Sequence, residues 1–568
     1  MAHITSEKEK HADISNSPSE KSNPSVKAST FPLELDENND GKVKNAYFGS
    51  NQHHVFSTPK SLSHWTDVYE KSKYEGRHRF DPQLQWSPSE EKRLLRKLDL
   101  RIMLWVWIMF SSLDLIRNIN RAVSDKLLPE LGMNTNDFNN GQTIYFFTFL
   151  AAELPGGLIS KKIGPDVMTP IAIVCWGTIC ACQSLITSRT GYYVTRAILG
   201  LAQGGFIPEM VLYLSYFYKA NELPIRLSVF YTVIPLTQII GSLLAAGFLE
   251  MRGISDWSGW RWLFLLEGVM SIVVGILSFF FMPASVTQTS EILRGKAQWL
   301  HGKTGWFTPR EEGILVNRIL RDDPSKGDMN NRQHVDLRGL WNALKDIDLW
   351  PIYMLGVLAF LPYQPTANYL SLTLSTLGYT TFESNMLAIP GFILFFLNIL
   401  FIVWLSEKVN ERLILAAWSN IWMLPFFIGI VAIPKSTSYW VRYALLTCIN
   451  GIPYTHAILV AMISRNANSV GTRAVGTAIY NMSYQFGSIA AANIYRNDDK
   501  PYYYNGNKIL LGICCANIGL FGLTKLYYVK RNQRKAKAWN KLTEDEKVNY
   551  IATTKDTGMQ KLNVVFAH

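Results

Sequence analysis

The sequence predicts an all-α polytopic membrane protein whose twelve transmembrane helices form two sets of six. Three observations carry this. First, apolar residues make up 48% of the 568-residue chain against 18% charged, and they fall into runs of about 20, enough to cross about 30 Å of hydrocarbon. Second, a polar stretch, 284–348, parts the sixth run from the seventh. Third, the two sides of that stretch echo each other: Tyr193 and Tyr439, Arg196 and Arg442, Leu199 and Leu445, and Gly205 and Gly451 all stand 246 residues apart, as do Ser160-Lys161-Lys162 and Ser406-Glu407-Lys408. Parallel repeats of this kind place a substrate near the midplane between two bundles.

Residues 1–95 are polar and rich in Ser, Lys and Asn, and read as a disordered tail. The first set of six occupies 96–283, with runs at 99–119, 141–160, 168–187, 191–218, 227–250 and 261–283. The central loop 284–348 follows, and the second set occupies 349–529, with runs at 349–372, 384–405, 412–433, 437–463, 474–494 and 508–528. Residues 530–568 form a second polar tail. KRLLRKLDLR (92–101) sets five cations before the first run, and KRNQRKAKAWNK (530–541) sets six after the last. The positive-inside rule therefore puts both tails and the central loop in the cytoplasm.

The net charge of +12 suits such flanks, and no basic cluster with interleaved aromatics points to nucleic acid. The six cysteines lie within the runs and read as packing residues, not as disulfides or ligands. Neither GxxxxGK[ST] nor HExxH occurs, so enzyme chemistry is not expected, nor is a cofactor or a bound metal. The expected partners are a small molecule and the lipid bilayer, with the chain acting as a monomer.

A charge at the bilayer centre costs roughly 2.5–3.5 kcal/mol, so ionisable residues there face a cavity or a partner. The stretch RAILGLAQGGFIPE (196–209) holds Arg196, Gly200, Gly204 and Pro208 at four-residue spacing, hence on one helical stripe where glycines admit a neighbouring helix. Arg196 has two readings: a structural pair with Asp114, or a functional residue that receives a substrate carboxylate or controls protonation of a neighbouring acid. Glu153 and Glu209 are titratable groups toward the cytoplasmic end, and each could instead pair with a loop lysine. Glu267 and Arg442 stand nearer the outer face. His456 could carry a proton, or serve as a hydrogen-bonded packing residue. In PYQPTANYL (362–370) two prolines break the seventh run, and irregular backbone at membrane depth survives only beside a cavity. Tyr363, Gln364, Asn368 and Tyr369 would line it. Gln238, Asn481 and Gln485 add amides, either to that cavity or as glue between helices. Glu222 and Arg226 read as a structural i, i+4 pair.

Several stretches resemble the major facilitator superfamily, and within it the fungal allantoate permease family of organic anion:proton symporters: GGLISKKIGPD (156–166), GWRWLFLLEG (259–268), LSTLGYTTFESNMLAIP (374–390), SRNANSVGTRA (464–474) and NIYRNDDKPYY (493–503). DLIRNINRAVSD (114–125), NTNDFNNGQT (134–143) and AAELPGGLISKK (151–162) are most similar to the vitamin H (biotin) transporters of that family. In the family pattern an arginine directly follows the first-span aspartate; here Leu115 takes that place and the arginine is Arg117. Related symporters typically have a glutamate where this chain has Gln203, which cannot titrate. The resemblance implies a proton-linked role for that position, so here the proton is carried elsewhere or not at all, with Glu209 and next Glu153 as the available replacements. It implies a proton-coupled symporter of the cell membrane importing a small carboxylate, biotin first, with pantothenate, nicotinate or allantoate as alternatives. A transporter-like nutrient receptor is the reading from another class.

Overall fold

The computed structural model describes residue 56 and residues 59–568, apart from 220–221, 291–304, 328–343, 377, 410, 435, 467–469, 544–545, 548–549, 551–561 and 563–564. The disorder expected for residues 1–55 lies outside these. Among the described residues all regular structure is helical, and eight helices are long and apolar enough to cross a membrane by length and composition alone.

Twelve spans can be followed. Span 1 runs from a π-helical turn, Asp99–Met103, into Leu104–Arg117. Span 2 is Thr135–Ile163, started by Asn134, whose side chain accepts from the Asp137 N–H while the Asp137 carboxylate accepts from the Asn134 N–H. Span 3 is Pro165–Gln183, and span 6 is Gly259–Phe281. Spans 8, 9, 11 and 12 contain Ile389–Val409, Leu413–Ala432, Val470–Ala491 and Tyr504–Trp539. Large apolar side chains such as Phe147, Leu201, Leu243, Leu397 and Leu523 are exposed on the outside of the bundle, as a surface facing lipid requires.

Four spans are segmented. Span 4 divides into Arg189–Gln203 and Phe206–Phe217, and span 5 into Leu223–Tyr231 and Val233–Leu249. Span 7 comprises Trp350–Leu358, Tyr363–Asn368 and Leu370–Thr376, broken where the prolines predict. Span 10 divides into Tyr439–Asn450 and His456–Asn466. The span 4 break corrects the single stripe expected from Arg196 to Pro208: Gly205 takes φ +88°, a left-handed conformation that needs glycine, and the helix restarts after it. Gly451, its counterpart in the repeat, closes the first half of span 10. The sequence echo thus marks the same break in both halves.

Packing follows the same symmetry. Span 2 packs on span 4, span 1 on span 5 and span 3 on span 6; span 8 packs on span 10, span 7 on span 11 and span 9 on span 12. The halves meet through span 2 against span 11 and span 5 against span 8. The close approach expected of the glycine stripe is present. A Cβ on Gly200 would stand 2.2 Å from Thr148 Oγ1, and one on Gly204 would stand 2.6 Å from the Phe149 carbonyl, both on span 2.

Two stretches read as polar tail and loop hold helices. Pro59–Lys71 and Pro88–Leu98 precede span 1, and Pro309–Asp322 lies between spans 6 and 7. Aromatic side chains scattered through 56–86 explain this, because averaging over a polar tail hides them. Phe56 and Tyr69 are buried against Val316 and Leu320, with Trp65 and Phe80 packed around them. Arg318 locks this cap onto the membrane bundle by donating to Glu91 (3.1 Å), to the Phe217 carbonyl (3.3 Å) and to Glu222. The expected Glu222–Arg226 side-chain pair is accordingly not made. Glu222 is taken by Arg318, and Arg226 forks onto Asp99 at 3.0 and 3.2 Å. Arg318 of the cap and Asp99 at the start of span 1 compete better than a neighbour one helical turn away.

Candidate functional site

Both chain ends of the described bundle lie on one side of an even set of spans, the near side; the other is the far side. Between the halves lies a narrow cavity. Its roof comes from span 1, which ends at Arg117. Asp114, one turn earlier, accepts from the Asn118 side chain at 3.2 Å. The Arg117 guanidinium lies 5.0 Å from the Phe146 ring centroid and donates to Gln485 Oε1 at 3.2 Å, reaching from one half to the other.

The cavity floor and walls mix rings with polar groups. Glu153 of span 2 borders it, and both of its carboxyl oxygens are buried without a hydrogen-bond partner. Opposite, Asn481 and Gln485 stand four apart on span 11 and so share one helix face, with Tyr484 beside them. The Asn481 amide nitrogen is buried and unpartnered. His456 begins the second half of span 10. Its Nδ1 is 3.2 Å from the Tyr480 hydroxyl, and its ring packs on Tyr231, Phe360, Tyr454 and Tyr484 at 4.8 to 5.7 Å.

Other predicted residues stand off the cavity. Arg196 is fully buried, its guanidinium 4.4 Å from the Tyr145 ring centroid, and donates to Gln142 Oε1 at 2.7 Å. The pair with Asp114 is not formed, because Gln142 lies on the adjoining span and Asp114 is held by Asn118. Gln203 accepts from the Tyr145 hydroxyl at 2.5 Å. Glu209 accepts from Ser160 Oγ at 2.7 Å, one span away, and does not border the cavity. Gln238 accepts from Arg121 at 2.7 Å. Arg121, a buried arginine within electrostatic reach of Asp114 and Glu267, was visible in DLIRNINR but carried no role in the sequence. Tyr363 and Gln364 are buried within span 7.

Asn368 and Tyr369 belong to a seal at the far side. Asn120 donates to Asn368 at 3.1 Å and accepts from Gln142 at 3.3 Å. An unbroken chain therefore runs from Arg196 on span 4 to span 7 in the other half. Asn139 donates to the Tyr495 carbonyl at 2.7 Å and accepts from Tyr369, while Asn493 donates to Thr143 at 2.8 Å. At the near side the halves meet by packing, Leu223–Tyr231 on the second half of span 10 and Phe206–Phe217 on span 11.

Sequence reasoning missed the aromatic lining: Phe110, Phe149, Tyr231, Tyr454 and Tyr484. For Tyr454 a signal existed, since it follows Gly451 and Pro453 in a break like that of span 7. Phe110, Phe149 and Tyr231 carried none, because an aromatic residue in an apolar run looks the same facing lipid or cavity.

Residues 106–492 match the model of the Major Facilitator Superfamily. The chain belongs to this superfamily. A relative in it, an uncharacterized transporter of Saccharomyces cerevisiae, YIL166C, is 51% identical over 517 residues, 91% of this chain and 94% of its own. A putative tartrate transporter of Agrobacterium vitis is 28% identical over 238 residues, 42% of this chain and 49% of its own. Among solved superfamily structures, the proton:xylose symporter XylE bound to 6-bromo-6-deoxy-D-glucose is similar in fold, with a TM-score of 0.53 at 14% identity, covering 75% of this chain and 95% of that one. The chain is thus a multi-pass membrane transporter of the Major Facilitator Superfamily, not an enzyme.

Proposed function

We propose that this transporter is a proton-coupled symporter of the cell membrane that imports a small carboxylate by alternating access. The single observation that carries the reading is the shared cavity of Arg117 and Glu153. One is a permanent cation, the other a carboxyl without a hydrogen-bond partner. Arg117 receives the substrate carboxylate through charge-assisted hydrogen bonds, displacing its contact with Gln485. Glu153 carries the proton. An ionised carboxylate stripped of partners is costly to bury, while the protonated acid is neutral, so sealing the site around Glu153 is coupled to loading it. Asn481 and Gln485 hydrogen-bond the polar body of the substrate, and the rings of Tyr231, Tyr454 and Tyr484 pack on its flat or alkyl parts.

Amides facing aromatic walls suit a ureido ring joined to an alkyl carboxylate, which keeps biotin first among the candidates. Pantothenate, nicotinate and allantoate share the carboxylate and remain alternatives. A relative bearing the name of a putative tartrate transporter supports the carboxylate class. Movement is a rocking of residues 96–283 against 349–529, with both chain ends in the cytoplasm, as the flanking cations favour. Arg196, in this reading, acts on the far-side seal through Gln142 and Asn120.

The test is uptake of labelled biotin into cells lacking their own carrier, with pantothenate, nicotinate and allantoate as competitors. Concentrative uptake that rises with an inward proton gradient is expected. Binding without flux, or flux indifferent to all four acids, would overturn the reading.

A further inference from the structure

A second, narrow cavity lies wholly within the second half at its far side, between spans 7, 9 and 10 and the turn that joins spans 11 and 12. Arg442, the repeat partner of Arg196, lines it. The side chain is 3% exposed, yet what it touches is neutral. It donates to the Pro434 carbonyl at 2.5 Å and to the Tyr504 hydroxyl at 3.3 Å, and its guanidinium lies 4.4 Å from the Tyr502 ring centroid. Its Nε is buried without a hydrogen-bond partner, and among the described residues no carboxylate pairs with it. Arg196 also keeps idle donors but is walled in by Gln142 and Tyr145, whereas Arg442 borders a cavity that an anion could enter, and the planar fork of arginine fits a carboxylate.

The remaining walls suit an organic acid more than an inorganic one. Tyr495 and Tyr503 stack at 4.4 Å beside Pro501, giving a flat apolar face, and Asn507 accepts from the Tyr495 hydroxyl at 2.6 Å. Tyr495 is also part of the seal, since its carbonyl accepts from Asn139 of the first half. The cavity therefore shares a residue with the far-side closure and lies outside the central site.

We infer that this cavity is a second, far-side binding site for a small ring-bearing carboxylate, held by Arg442 against the Tyr495–Tyr503 face, from which substrate passes to Arg117 when the seal opens. The passage to Arg117 rests on the function proposed above; the binding does not.

The experiment uses the full chain in lipid nanodiscs for equilibrium binding of labelled nicotinate, and the same chain in cells for carboxylate uptake. Wild type is expected to bind two nicotinates per chain, and Arg442→Gln one. Arg117→Gln should also bind one, through Arg442. In uptake, Arg442→Gln should raise KM about tenfold at unchanged kcat, the scale of one lost charge-assisted contact. If that variant fails to fold, Arg442→Lys keeps the charge without the fork, and should raise KM several-fold. Wild-type stoichiometry and KM in both Arg442 variants would overturn the inference while leaving the transport function standing. Loss of one site in Arg442→Gln, in a chain that moves no carboxylate, would uphold the site and sink the function.

Discussion

Glu153 and Arg117 border the same cavity, and their chemistry separates in experiment. Glu153→Gln keeps the shape and removes the titration. Exchange of labelled for unlabelled substrate across the membrane should continue at near wild-type rate, while accumulation against a gradient at acidic outside pH disappears. Unchanged accumulation would assign the proton to another group, with Glu209 and its Ser160 partner next in line. Arg117→Gln should lower uptake kcat/KM about 100-fold, consistent with the loss of a buried charge-assisted pair. Arg196→Gln should act differently, weakening the seal and the fold more than the affinity for substrate, because Arg196 touches Gln142 and Tyr145 and not the cavity. Sequence alone identified the ionisable residues of the membrane interior but not which of them share a cavity. Arg196 and Arg117 are equally charged and equally out of place in apolar runs. Only the helix packing puts one on a wall and the other behind it.

At the scale of elements, breaks and glycines were the most legible features, because they are backbone facts written in single residues. Pro362 and Pro365 announced the segmented span 7, and the repeat pairing Gly205 with Gly451 marked breaks in spans 4 and 10. The glycine contacts make a quantitative prediction. Gly200→Ala drives a methyl group into Thr148 and the Tyr145 carbonyl, and should destabilise the bundle by about 1–3 kcal/mol, the usual cost of overpacking. Gly247→Ala meets nothing within 4 Å and should stabilise slightly, by about 0.4–1 kcal/mol, as alanine favours the helix. Thermal unfolding in detergent compares the two, and equal melting temperatures would contradict the packing of span 4 on span 2.

The cap around Pro309–Asp322 was not legible, since its energy lies in contacts between segments more than two hundred residues apart. Its dependence on acidity is predictable. Burial alone would push the Glu91 carboxyl up, but hydrogen bonds from Lys219 and Trp86 and the charges of Lys219 and Arg318 overrule it and hold the carboxyl at about 2. A carboxyl depressed on folding contributes fully above its unfolded value, about 4.3, and the contribution is lost as pH falls from there toward about 2. Protection of 309–322 against hydrogen exchange, taken relative to the intrinsic rate at each pH, should therefore fall across that interval. Glu91→Gln should produce the same loss of protection at neutral pH.

For the whole molecule, hydrogen bonds between the halves gather at the far side among the described residues. Asn139→Ala deletes one bond donated to Tyr495 and one accepted from Tyr369 while leaving the near side alone. It should raise labelling of Asn481→Cys by a thiol reagent added from the far side several-fold. Labelling unchanged by the substitution would mean that Asn139 does not govern far-side closure. The twelve-span plan and the six-plus-six division were readable from run lengths and the central polar stretch, because hydrocarbon thickness dictates both. The direction in which the molecule is sealed was not, since asparagines at helix ends look alike in sequence whether they face water or one another.

The far-side closure has a thermal consequence, because it mixes rings with amides: the Phe138 ring meets the Tyr369 ring edge-on at 5.9 Å beside the Asn139 bonds. Opening that side wets apolar surface, and this raises heat capacity and becomes easier as temperature falls. A plot of the logarithm of far-side accessibility against reciprocal temperature should therefore curve instead of following a straight line.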